Sequence, residues 1–123
     1  MKKLGVLGGM GPLCTANFYQ KIVKNTKADK DQDHIQTIII SDPQIPDRTA
    51  AILTGKDEEI LLQKIKEDLE NLENQGVDNI AIPCNTMHYY YDTFKNYTNI
   101  NIINMVEETL LFLSLIHISE PTR

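Results

Sequence analysis

The sequence predicts an α/β fold, a doubly wound parallel sheet of four strands in the flavodoxin-like order 2-1-3-4. Two observations predict this class. Short apolar runs rich in β-branched residues alternate with longer stretches of helical periodicity. Glycine, proline and short polar residues separate the two kinds of segment. Because strands that are separated by helices pair in parallel through right-handed crossovers, the alternation predicts helices on the faces of a parallel sheet.

The first strand and helix are joined by a glycine-rich turn. The apolar run Lys3–Leu7 predicts a buried strand, and Gly8–Gly11 predicts a tight turn. Pro12 suits the first helical position, where its missing N–H leaves no donor unpaired. We expect this helix to run to about Ala28. Its core-facing stripe is predicted to be Ala16, Tyr19, Ile22 and Val23.

The second strand and helix follow the same plan. Ile35–Ile40 is β-branched and predicts the second strand. Thr54 and Asp57 resemble a capping box, so we expect a helix to begin there and run to about Gln75, where Gly76 stops it. Its apolar stripe is Leu61, Ile65, Leu69 and Leu72. Its solvated face is predicted to hold Glu58, Glu59, Lys66, Glu67, Asp68 and Glu70.

The last elements complete the sheet. Val77–Ile82 predicts the third strand, Met87–Tyr97 a helix, and Ile100–Ile103 a short fourth strand. Another helix is expected from Met105 onwards. Three aromatic residues recur at helical spacing and are predicted to be core rather than a substrate box: Tyr90, Phe94 and Tyr97.

Length and composition limit the function classes. The chain has 123 residues, of which 41% are hydrophobic, so we expect one domain. A net charge of −5 argues against a nucleic-acid partner. We find no apolar run long enough to span a membrane and no signal peptide, so we predict a cytoplasmic protein. In a reducing cytoplasm the two cysteines, Cys14 and Cys84, are expected to stay free.

Three unusual loops are predicted to meet at one edge of the sheet. Gly8–Pro12, Ser41–Thr49 and Pro83–Thr86 follow the first three predicted strands. In open parallel sheets, ligands bind beyond the carboxyl ends of the strands. We therefore place a candidate site at this edge.

Cys84 is the most informative residue of these loops. It follows the apolar run Ile80–Ile82 and precedes a predicted helix, so its thiol lies at a helix N-terminus. Partial positive charge there favours the thiolate, which is the reactive form. Asn85 and Thr86 add hydrogen-bond donors, and either could cap the helix. A buried structural cysteine with an ordinary cap is the alternative.

The other loop residues also allow two interpretations. The glycines either permit a tight turn or bring N–H groups to a carboxylate or phosphate, although their spacing is not the dinucleotide fingerprint. Asp42 lies where a ribose-binding acid would be, so an anion- or nucleotide-binding module stays open. Asp47 and Arg48 form either a surface ion pair or, through Arg48, a carboxylate clamp. Cys14 is interpreted as a small buried packing residue or, alternatively, as a second base.

Three segments together carry a family resemblance. They are Leu4–Pro12, Pro46–Thr49 and Ile80–Tyr89, and in this order and spacing they resemble the first half of the aspartate/glutamate racemases, the cofactor-independent amino-acid racemases. The resemblance runs from about Lys3 to about Glu108. It implies a flavodoxin-like half of a two-domain racemase. Members of that family are about twice this long and carry a second cysteine in a second, similar half.

The resemblance also implies the chemistry. The substrate would be aspartate or glutamate, with neither pyridoxal phosphate nor a metal, and the complete protein would be a homodimer. It assigns Cys84 as one catalytic base. It implies that the substrate is contacted by Met10, Gly11, Asp47, Arg48, Asn85 and Thr86. Since only half of such a site is present, we expect the chain to be inactive alone. A related cysteine enzyme acting on hydantoins or maleate is a further alternative.

The C-terminal end departs from the pattern. Residues 1–113 are expected to form the α/β domain, truncated relative to the family. Residues 114–123 resemble a translated sequencing-adapter read-through, so we predict a tail foreign to the native sequence.

Overall fold

A parallel four-stranded sheet forms the centre of the protein. The computed structural model describes residues 2–104. Its strand order is β2-β1-β3-β4, so the predicted fold class and order are confirmed. Leu4 of β1 pairs with Thr37 of β2 on one side and with Asn79 of β3 on the other. The strands are β1 (Lys3–Gly8), β2 (Gln36–Ser41), β3 (Asn79–Ala81) and β4 (Asn101–Ile103).

Helices cover both faces of this sheet. Side chains alternate along β1, so Leu4 and Val6 join the cluster that contains Phe18 and Ile22 of the first helix, whereas Leu7 joins the cluster on the opposite face. The apolar stripe predicted for the helix before Gly76 is confirmed, because Leu61, Ile65, Leu69 and Leu72 are fully buried in the same cluster as Leu7. The α-helices are α1 (Pro12–Asn25), α2 (Arg48–Thr54), α3 (Glu58–Asn74) and α4 (Tyr91–Phe94).

The core-facing side of α1 differs from the prediction. Ile22 is buried as expected, but the buried residues beside it are Thr15 and Phe18. Tyr19 and Val23 are 40% and 36% exposed, and Ala16 is also exposed. The predicted stripe was wrong because Thr15, a polar residue, turns inward to pair with the glycine loop. That contact rotates the buried face away from the most apolar side of the helix.

The segment between β2 and α3 contains a helix that the sequence reading missed. Asp47 caps α2, and its carboxylate accepts from the N–H groups of Thr49 at 3.0 Å and Ala50 at 3.4 Å. Gly55 ends α2 with φ +76°. The predicted capping box was therefore wrong, since Thr54 closes α2 and Asp57 precedes α3 without a side-chain cap.

The predicted long helix over Met87–Tyr97 is also wrong. A 3-10 helix, Asn85–Tyr90, leads into the single turn of α4. The aromatic prediction is confirmed for Tyr90 and Phe94, which are buried with ring centroids 5.9 Å apart, and Tyr97 packs against them partly buried. The Tyr90 hydroxyl donates to Glu58 Oε2 at 2.8 Å, which ties the 3-10 helix to α3.

One predicted surface charge is buried. Asp68 of α3 is only 8% exposed, whereas its predicted companions on the solvated face are exposed or partly exposed. It precedes Leu69 on the side of α3 that faces the sheet, where it meets Asp42.

The C-terminal predictions lie outside the described residues. These are the helix from Met105, the domain boundary at residue 113 and the foreign tail over residues 114–123. Within residues 2–104, no helix combines the length and apolar character needed to cross a bilayer.

Candidate active site

The loop after β1 is shaped by close backbone contacts. The Gly9 N–H donates to Thr15 Oγ1 at 2.8 Å, and that hydroxyl donates to the Gly11 carbonyl at 3.2 Å. A Cβ at Gly8 would lie 2.3 Å from Thr15 Oγ1, so no larger residue fits there. Gly9 has φ +98°, and a Cβ on it would lie 2.3 Å from the Asp42 nitrogen. The glycines thus allow the first loop to press against α1 and the second loop.

Cys84 stands where β3 gives way to the 3-10 helix, as its N-cap residue. The residue is 8% exposed, and its Sγ lies 3.2 Å from Thr86 Oγ1. Neither neighbour makes a side-chain cap, so Thr86 contacts the thiol instead. A short 3-10 helix aligns fewer peptide dipoles than the long α-helix that was predicted, which weakens the electrostatic argument drawn from the sequence.

A cavity of about 370 Å³ opens beside this thiol. Both cysteines line it, although Cys14 is exposed rather than buried, so the interpretation of Cys14 as a buried packing residue is wrong. Lys21 of α1 is the one charged residue among the described residues that line the cavity. The lining is formed by Met10, Cys14, Asn17, Phe18, Lys21, Pro83, Cys84 and Asn85.

The structure therefore brings together part of the predicted site. Met10, Cys84 and Asn85 share the cavity. Gly11 flanks it as the N-cap residue of α1, the helix that carries Cys14. The exposed Thr86 reaches the site through its contact with the thiol.

The loop after β2 leads into α2. α2 packs against α3 and against the 3-10 helix that begins after Cys84. The Asp47 carboxylate is engaged as the cap of α2. Arg48 begins that helix, is half-buried, and its Nε is buried with no acceptor among the described residues. A buried donor without a partner costs about 1–3 kcal/mol, so this N–H is a candidate contact for a bound anion.

Asp42 has a partner within the fold. Its Oδ2 lies 3.4 Å from Lys64 Nζ, and its backbone N–H donates to the Gly8 carbonyl at 2.9 Å. The nucleotide-binding alternative rested on Asp42 as a ribose acceptor. The carboxylate points instead to α3, which removes that support.

Sequence reasoning missed the contribution of α1 to the site. Asn17, Phe18 and Lys21 line the cavity together with Cys14, and these positions recur at intervals of three and four residues. The helical spacing was visible in the sequence. It was overlooked because the neighbouring apolar stripe was taken as the inner face.

The fold and site define an α/β protein with a thiol-lined cavity at the carboxyl edge of a parallel sheet. Residues 7–118 match the sequence profile of the Asp/Glu/Hydantoin racemase family. The chain belongs to this family.

Individual relatives agree with this assignment. The chain is 31% identical to a broad specificity amino-acid racemase, RacX, of Bacillus subtilis (strain 168), over 87% of this chain and 47% of that protein. It matches the aspartate racemase of Picrophilus torridus with 35% identity and a TM-score of 0.75, over 85% of this chain and 43% of that one. A Pyrococcus horikoshii OT3 aspartate racemase homologue, 23% identical with a TM-score of 0.68, shares the fold. The chain spans about half the length of these relatives.

Proposed function

We propose that the complete protein is a cofactor-independent racemase of aspartate or glutamate, and that this chain supplies one half of its active site. One observation carries the proposal. Cys84, on the loop after β3, lines a cavity with Met10 and Asn85 in a chain that belongs to a racemase family.

The reaction needs one base and one acid on opposite faces of the substrate. The Cys84 thiolate removes the α-proton and becomes a thiol, while the electron pair of the broken C–H bond passes into the substrate carboxylate. A second acid then delivers a proton to the other face of the α-carbon. No electron acceptor is required, because the product is the mirror image of the substrate. Thr86, at 3.2 Å, is placed to hydrogen-bond the sulfur.

Positive charge beside the cavity favours an anionic substrate. Lys21 lines the cavity. Arg48, whose Nε has no acceptor among the described residues, begins α2, which packs against the 3-10 helix after Cys84. Charge-assisted hydrogen bonds to carboxylates are about twice as strong as neutral ones. Aspartate and glutamate each present two carboxylates, whereas a hydantoin ring is neutral, so these cations support the amino-acid substrate over the hydantoin alternative.

We place the second acid outside this chain. The relatives are about twice as long as the chain, which leaves room for an opposing group on a second half. Cys14 is the alternative within the chain, since it lines the same cavity and is accessible. The two possibilities predict different products.

The test follows the α-proton in heavy water. The chain is incubated with L-aspartate or L-glutamate in D2O, and NMR and chiral chromatography follow the α-proton and the configuration. We expect slow replacement of the α-proton with retention of the L-form. Cys84→Ser should reduce the exchange to background, whereas the matched variant Cys14→Ser should leave it unchanged.

The other outcomes discriminate the alternatives. Formation of the D-isomer, lost in Cys14→Ser, would make Cys14 the second base. Equal exchange in the Cys84→Ser variant would remove Cys84 from the chemistry. Exchange of a 5-substituted hydantoin but of neither amino acid would favour the hydantoin alternative.

A further inference from the structure

Two carboxyl groups meet where α3 packs against the end of β2. Asp68 of α3 is 8% exposed, and its carboxyl faces that of Asp42 just after β2. Lys64, one turn earlier on α3, lies with its Nζ 3.4 Å from Asp42 Oδ2, which places Asp42 against this side of the helix. Asp68 Oδ2 is buried and has no hydrogen-bond partner among the described residues. Two ionised carboxylates are acceptors only, so this contact requires a proton between them.

Asp42 connects this pair of carboxyl groups to the glycine loop after β1. Its backbone N–H donates to the Gly8 carbonyl at 2.9 Å, and its Oδ1 accepts from the Gln44 N–H at 3.2 Å. Its backbone is also the surface against which Gly9 packs. The loop that Asp42 opens runs directly to Asp47, the cap of α2.

We propose that Asp68 is a positioning residue, which keeps its proton, donates a hydrogen bond to Asp42, and thereby holds the loop between β2 and α2 against the glycine loop. Asp68 lies outside the thiol-lined cavity and needs no contact with a substrate.

Burial and the neighbouring charges set the pH at which Asp68 loses this proton. Burial, followed by the hydrogen bond and the charge of Asp42, raises the pKa of Asp68 to about 7, and Glu67 adds to this while Lys64 opposes it. Burial also raises the pKa of Asp42, but the hydrogen bonds from Asp68 and Gln44 and the charge of Lys64 outweigh it and lower that pKa overall. Asp68 is therefore the member of the pair that carries the proton.

The sign of the pH dependence follows from linkage. The ordinary pKa of Asp68 is 3.8, so the folded chain binds this proton more tightly than the unfolded chain does. Its contribution to stability is complete below about pH 4 and is lost as the pH rises to about 7, above which it is level. The folding equilibrium constant should fall by up to about tenfold per pH unit within that window.

The experiment uses the chain itself and needs no catalytic activity. The 13C carboxyl signals of the aspartates are titrated from pH 4 to 9, and urea unfolding is measured over the same range. We expect one buried carboxyl to titrate near pH 7, with the amide signals of Gly9 and Gln44 moving at the same midpoint. Asp68→Asn donates an N–H at every pH, so these amides should keep their low-pH positions.

Controls separate this titration from others. The wild type and Asp68→Asn share every other ionisable group, so the difference between their titrations isolates Asp68. Glu70→Gln, an exposed charge on the same helix, should behave as wild type. The proposal is overturned by a wild type without a carboxyl midpoint above pH 6, or by Gly9 and Gln44 amides that titrate equally in Asp68→Asn. If Asp68→Asn does not fold, the wild-type carboxyl and amide midpoints alone decide.

Discussion

Polar atoms at the carboxyl edge of the sheet fall into two groups. The side-chain oxygens of Thr15 and Asp47 accept hydrogen bonds from backbone N–H groups of the protein. Within residues 2–104, Arg48 Nε has no such partner, and the Cys84 sulfur contacts the hydroxyl of Thr86. Paired atoms hold the loops in place, whereas the Arg48 Nε–H and the Cys84 thiol are the groups that our proposal assigns to the substrate.

The first prediction concerns Arg48. Arg48→Ala should weaken binding of L-aspartate to the chain by about 1.5–3 kcal/mol, the range for a hydrogen bond to a charged group. Arg48→Lys keeps the charge but not the planar fork, and should recover part of the loss. NMR titration gives the dissociation constants. An unchanged constant for Arg48→Ala would reduce this residue to a structural role in α2.

At the scale of elements, α2 depends on its cap. The helix has seven residues, Arg48–Thr54, and the Asp47 carboxylate satisfies two of its first N–H groups. So short a helix is marginal by itself. Asp47 therefore stabilises α2 as its N-cap, in addition to the substrate contact that the family resemblance implies.

The Asp47 variants separate these two roles. Asp47→Ala should lower the free energy of unfolding by about 0.5–2 kcal/mol through loss of the cap, and Asp47→Ser should restore most of it. Urea unfolding measures the change. If Asp47→Ser is stable but binds L-aspartate as poorly as Asp47→Ala, the carboxylate itself also contacts the substrate. Equal stability of all three proteins would contradict the cap.

The same elements show how far sequence reasoning reaches. The buried stripe of α3 was predictable, because four apolar residues recur at helical spacing. The strand order was predictable, because apolar β-branched runs alternate with helical segments along the chain. The inner face of α1 was not, because one hydrogen bond from Gly9 to Thr15 outweighed the apolar pattern.

Predicted surface charge and predicted helix length failed for similar reasons. Asp68 carries a surface-type side chain, and only its partner Asp42, distant in sequence, explains its burial. The segment after Cys84 has helical spacing, yet it folds as a 3-10 helix tied to α3 by the Tyr90 hydroxyl. In the candidate site, Cys84 was found from its loop, whereas Lys21 required knowledge of how α1 is rotated.

At the scale of the whole molecule, the sheet packs closely against α3 at Gly5 of the central strand. A Cβ at Gly5 would lie 3.1 Å from a Val77 methyl and 3.2 Å from a Leu72 methyl. These distances are shorter than ordinary van der Waals contacts, so a Cβ there requires Val77, or Leu72 of α3, to move, and a larger side chain requires more.

We therefore expect Gly5→Val to lower the free energy of unfolding by about 1–3 kcal/mol through overpacking. Gly11→Ala is the control, since no atom of the part of the chain that the structure describes lies within 4 Å of a Cβ at that position. Thermal and urea unfolding of the three proteins measure the difference. A Gly5→Val chain as stable as wild type would show that the two layers are not in tight contact.

The central place of β1 has a consequence for synthesis on the ribosome. β1 is synthesised first, and Leu4 can pair with Asn79 of β3 only after 75 further residues have been added. At bacterial and eukaryotic elongation rates this interval is about 4–15 seconds. Throughout it, one edge of β1 offers free N–H and C=O groups to neighbouring nascent chains on the same messenger. We expect the yield of correctly folded chain to follow translation speed between these two strands more closely than the stability of the finished sheet.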